Sequence, residues 1–190
     1  MANERLSARG PALLSFVDLL DRFSEWTGRT LSWLSLFMVL VTFLVVVLRY
    51  VMDLGWIAMQ ESVTYMHATL FMLGAAYTLN RNGHVRVDII YHKMSRRGRA
   101  WVDLLGTLLL LTPVCVFMAW IGWQYVTDSW GVMEGSREAG GIPAVYLLKA
   151  LILLMPVLLL LQGLALMLRN GLFLAGVEAA LPAKEGKGDA

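Results

Sequence analysis

The residues of this chain that could do chemistry lie close together. Glu61, Thr64 and His67, with Thr78 further on, interrupt an apolar run from about Trp56 to Leu79. A carboxylate inside a membrane can bind a proton or a cation, and a histidine can hold haem iron. Depth argues against the first use, because Glu61 sits only about one turn inside the run, within reach of headgroups or water. His67 lies about 9 Å further along at 1.5 Å per residue and reads as a neutral hydrogen-bonding partner for another helix. At about 100° per residue, Glu61, Thr64, His67, Gly74 and Ala75 share one arc of roughly 140°. Small and hydroxyl-bearing residues mark where membrane helices come close, so this arc is the expected packing face.

Other chemistry finds little support. The sequence has no nucleophile elbow, no P-loop and no paired metal-binding histidines within a span. Its single cysteine, Cys115, lies in an apolar run, so there is no disulfide framework and no cysteine zinc site. A haem-anchoring subunit of a redox complex would need two axial histidines at one depth, but His84 and His92 fall in a basic stretch. A self-sufficient small transporter, acting as a homo-oligomer, would show internal repeats and broken helices around a midplane site. Here the halves do not repeat, and only His67, Thr42 and Thr112 are polar near mid-depth. The expectation is a chain that is not an enzyme, with no catalytic, metal or cofactor-binding residue.

The elements that position these residues are membrane helices. The 190 residues are 58% apolar and 16% charged, whereas a soluble domain carries about a quarter charged residues. Runs near the ~20 residues that cross a bilayer predict an all-α integral membrane protein of four spans, about 30–48, 56–79, 101–125 and 143–168. They form a membrane domain over 30–169, preceded by a segment over 1–29 and followed by a partly disordered tail over 170–190. In the first segment Leu13, Phe16, Val17, Leu20 and Phe23 oppose Asp18, Asp21, Arg22 and Glu25. That predicts an amphipathic helix from Pro11 to Trp26, closed near Gly28. It would lie in the headgroup plane or on a partner's cytoplasmic surface. No early apolar segment reads as a cleavable signal.

Asp53-Leu54-Gly55 leaves room only for a tight turn between the first two spans. Pro113 and Pro156 should kink the third and fourth, with Thr112 able to help satisfy a freed carbonyl. Trp120, Trp123, Tyr125 and Trp130 form an interfacial anchor. The Gly-rich loop from Thr127 to Pro143 carries Asp128, Glu134, Arg137 and Glu138, while Lys149 can snorkel outward.

Charge fixes the orientation. The stretch from Leu79 to Arg99 holds Arg81, Arg86, Lys93, Arg96, Arg97 and Arg99, six of the sixteen Lys and Arg. With both termini inside, thirteen of the sixteen are cytoplasmic and only Arg49, Arg137 and Lys149 are outside. That bias predicts cytoplasmic termini.

The same stretch carries a pattern. Glu61, Gly74, Arg81-Asn82-Gly83 and above all Gly83-His84-Val85-Arg86-Val87-Asp88 resemble the small, DctQ-like membrane subunit of the TRAP (tripartite ATP-independent periplasmic) transporters, over about Leu31 to Leu168. The resemblance implies a bacterial inner-membrane accessory subunit with membrane lipids around it and no nucleic-acid partner. It would brace a large multi-spanning subunit that moves organic acids or related solutes, sodium-coupled, after delivery by a periplasmic solute-binding protein. The sodium site would belong to the large subunit. On this reading Arg81, Gly83, His84, Arg86 and Asp88 form an ordered cytoplasmic elbow, with Gly83 as a left-handed cap of the second span. Asp128, Glu134, Arg137 and Glu138 become candidate contacts for the binding protein.

Overall fold

The computed structural model describes residues 2–81, 83, 91, 93–177 and 180, with side chains from residue 13 onward. Every regular element among them is helical: α1 (Ala2–Val51), α2 (Ile57–Asn80), α3 (Arg96–Gly106), a π-helical turn (Thr107–Leu111), α4 (Thr112–Gly131) and α5 (Val145–Leu174). Three stretches are long and apolar enough to cross a membrane: Leu13–Val51, Arg96–Gly131 and Val145–Leu174. α2 has 24 residues, but Gln60, Glu61 and His67 dilute its apolar content, and it is not among the three. The tail from 181 onward, and His84, Arg86 and Asp88 of the elbow, lie outside the described residues.

The amphipathic segment does not close at Gly28. α1 runs through it without a break. Glycine in a helix interior costs about 1 kcal/mol against alanine, and here packing explains why it is present. A Cβ on Gly28 would lie 2.2 Å from Cγ of Tyr77 on α2, so the two helices meet where α1 has no side chain. The buried side also differs from the apolar arc. Val17, Ser24, Gly28 and Leu31 are buried, while Phe16, Leu19 and Phe23 are exposed. The seam follows a spacing of four and three, with Asp21 between Val17 and Ser24. Polar groups on α2 and α5 await that face, and they draw Asp21 inward.

The turn after α1 falls where expected, with Asp53 left-handed (φ 53°), a conformation that Asp tolerates. α2 ends with Gly83 donating its N–H to the Thr78 carbonyl at 2.8 Å, a bond spanning five residues that satisfies a terminal carbonyl. α3 begins on Ser95, whose hydroxyl accepts the Gly98 N–H at 3.2 Å.

Pro113 is absorbed by a widened turn. The N–H of Thr112 bonds to the Thr107 carbonyl, and the Thr112 hydroxyl donates to the same oxygen at 2.9 Å. Proline brings no donor, and the π turn shifts the bonding by one residue around it. A Cβ on Gly163 of α5 would come within 2.9 Å of Leu111 and 3.1 Å of Thr107, so α5 lies hard against this turn.

α5 is the hub. It touches α1, α2, α3, the π turn and α4, while α1 packs chiefly on α2. Its buried residues are Leu151, Pro156, Leu159, Gln162, Gly163, Ala165, Asn170 and Leu172. Large apolar side chains such as Phe37, Phe43, Leu110, Phe117 and Trp120 instead point outward. Small and polar residues inside with large apolar ones outside is the arrangement expected in lipid.

Candidate functional site

Two polar knots close the ends of the bundle. At the end of the bundle near Trp130, called the outer end for the orientation that the charge bias predicts, the loop over 132–144 is tied to three helices. One carboxylate oxygen of Glu61 on α2 accepts the Ser136 hydroxyl, and the other accepts the Ile142 N–H at 2.6 Å. Ser136 and Ile142 are joined by a backbone bond of 3.1 Å, so one glutamate holds both sides of the loop's neck. A Cβ on Gly141 would lie 2.6 Å from Cβ of Ser136 and 2.8 Å from Glu61 Oε1, which makes that position a glycine.

Glu134 ties the loop to α4 and α5. Its carboxylate accepts the Ser129 hydroxyl at 2.7 Å and the Lys149 ammonium, and Lys149 stands 4.0 Å above the Tyr125 ring. The bond from Lys149, then the one from Ser129, hold the Glu134 carboxyl below the ordinary carboxylate range, against the opposing effect of burial. Beside them Tyr146 meets Trp130 edge to face at 5.0 Å.

At the inner end Asp21 of α1 accepts the Gln162 amide at 2.9 Å and the Arg169 guanidinium, both from α5. Its backbone carbonyl accepts from Asn80 at 3.3 Å. One turn on, Glu25 pairs with Arg29 at 2.9 Å and, through both oxygens, with Arg81 just beyond α2. Arg81 also lies over the Tyr77 ring at 5.7 Å. This knot makes the N-terminal part of α1 an integral piece of the bundle.

The residues expected on one packing face separate. Glu61 binds the outer loop. Thr64 and His67 are exposed, and His67 stacks on Phe71 of its own helix at 6.3 Å instead of bonding to another helix. A Cβ on Gly74 would meet nothing within 4 Å. Gly74 and Ala75 line an open groove of about 630 Å³ with Gly28, Leu31, Phe71 and Met155. On this arc Thr64 and His67 point away from the chain's own helices, Gly74 and Ala75 open into a groove shared with α1 and α5, and Glu61 is held by the loop. Of the loop residues, Arg137 and Glu138 are exposed, as is Asp128 on α4, where it accepts from Gln124 at 2.7 Å. Glu134 is turned inward to Lys149 and is not presented as a contact. Of the elbow, Arg81 and Gly83 are described, the one paired with Glu25 and the other ending α2.

Sequence reading missed Asp21, Gln162 and Arg169. The available signal was a glutamine inside an otherwise apolar run, because a buried amide needs a partner.

Among the described residues, these polar groups fasten helices to one another and to the loop. The family profile of the DctQ component of the tripartite ATP-independent periplasmic transporters matches residues 38–171. The chain belongs to this family. A Haemophilus influenzae protein assigned by its name to the TRAP transporter small permeases is 30% identical to it over 109 residues, 55% of this chain and 66% of that protein. The match thus spans just under two thirds of that relative's length. No solved structure matches the chain. In this DctQ-family chain the two knots fasten the helices to one another.

Proposed function

We propose that this DctQ-family chain is a scaffold subunit of a TRAP-type importer in a bacterial inner membrane, bracing a large multi-spanning transport subunit. α2 is the fourth span in this reading, about 36 Å long at 1.5 Å per residue, and both termini are cytoplasmic, in keeping with the thirteen-to-three distribution of basic residues. The observation that carries the proposal is the division of labour on α2. Its end carboxylate is engaged by the outer loop, while Thr64, His67, Phe71 and Gly74 remain on an uncovered side. The uncovered arc takes the large subunit. Asp128, Arg137 and Glu138 face the periplasm, where a solute-binding protein docks transiently. Organic acids or related small solutes are the cargo, and sodium coupling resides in the large subunit, with no cofactor in this chain. The elbow through His84, Arg86 and Asp88 supports assembly.

The test is a mild-detergent pull-down of the tagged chain with identification of what co-purifies. A stoichiometric polytopic partner is the expected result. A homo-oligomer that by itself moves solute in liposomes would overturn the scaffold reading.

A further inference from the structure

The buried seam of α1 contains a hydroxyl that bonds to nothing among the described residues. Ser24 is 5% exposed, and its Oγ has no hydrogen-bond partner. Other hydroxyls of α1 settle on their own helix: Thr27 donates to the Phe23 carbonyl, Ser32 to that of Arg29 and Ser35 to that of Ser32. Ser24 instead points to where α1, α2 and α5 converge. There it borders a cavity of about 10 Å³, walled by Leu73, Ala76 and Leu158 among other apolar groups. Three more residues with polar side chains line this cavity, Thr27, Tyr77 and Gln162.

We propose that this cavity is a binding site for one ordered water molecule, which bridges Ser24 of α1 to Gln162 of α5. Three features carry the inference. The volume is close to the one-probe minimum that a single water requires. Four lining residues carry polar groups, within the two to four partners that hold a buried water. Gln162 uses one amide hydrogen on Asp21 and keeps an oxygen and a second hydrogen, while the Thr27 oxygen, donating to Phe23, keeps its lone pairs. In a lipid-facing bundle no bulk solvent can satisfy the serine, so a captive water is the remaining partner. It would extend the inner knot from Asp21 by one helical turn, toward the close contact at Gly28. The inference is independent of what the chain assembles with.

The site is tested in the full chain with its co-purifying subunits by a cryo-EM map that resolves waters, together with Ser24→Ala and Ser24→Val. The expected map has one peak between Ser24 and Gln162. Ser24→Ala removes one holder of the water and should lower Tm by about 2–4 °C. Ser24→Val displaces the water and strands the Gln162 oxygen, so it should fall below the alanine variant. An empty map at that place overturns the proposal. So does either variant matching or exceeding the unmodified chain, because filling a dry cavity and removing an unpaired hydroxyl would stabilise.

Discussion

Adding a methyl group at Gly28 would place a carbon 2.2 Å from Cγ and 2.8 Å from Cβ of Tyr77, whereas the same addition at Gly74 meets no atom within 4 Å. The Cβ contact means that rotating the tyrosine ring cannot relieve the first clash. Gly28→Ala should therefore destabilise the chain by about 1–3 kcal/mol, the usual range for overpacking, and Tyr77→Ala in the same chain should recover part of the loss. Gly74→Ala should be neutral or gain up to about 1 kcal/mol from helix propensity. Thermal melts in mild detergent separate the two. Gly74→Leu asks a different question. It should leave the isolated chain as stable as before yet reduce recovery of the large subunit. Unchanged recovery would remove the groove at Gly74 from the assembly surface.

The elements show why some of this was readable from sequence and some was not. The turn at Asp53 and the membrane character of the long helices follow from composition and local chemistry. Gly28 was ambiguous, since a glycine after an amphipathic segment marks a helix end as readily as a close approach, and only the position of Tyr77 decides. Glu61 could be placed near a helix end, but Ser136 and Ile142 lie 75 and 81 residues away in a loop with no periodicity to fix its path. Asp21 looked like the polar face of a surface helix, because nothing local announces Gln162 and Arg169. Pro113 signalled a disturbed helix without saying that a π turn would absorb it. The start of α3 tests a purely local term. Ser95→Ala should cost about 1 kcal/mol at this helix start, read as faster amide exchange over 96–99 with little change elsewhere. Equal slowing or loosening throughout the bundle would mean that the cap does more than begin one helix.

For the molecule as a whole, the two knots differ in what disturbs them. Glu134 carries a lowered pKa outside the membrane, so its contribution is present above the ordinary carboxylate value of about 4.3. That contribution is lost only as pH falls through the lower value held in the folded chain. The outer loop should then keep its amide protection, corrected for intrinsic exchange, from neutral pH down to about 4 and release it below. Glu134→Gln should release it already at neutral pH. Release of the unmodified loop near neutrality would show that the pair with Lys149 does not hold it.

α5, the helix against which all the others pack, comes after each of them in the order of synthesis. Asp21 meets Gln162 and Arg169 across 141 and 148 residues of chain. At synthesis rates of about 5–20 residues per second, α1 waits roughly seven to thirty seconds for the groups that neutralise Asp21. During that interval α2 can already pack on Gly28 through Tyr77, but the Asp21 carboxylate lacks both of its side-chain partners. A ribosome stalled before residue 162 leaves a product that can enter the membrane but cannot lock.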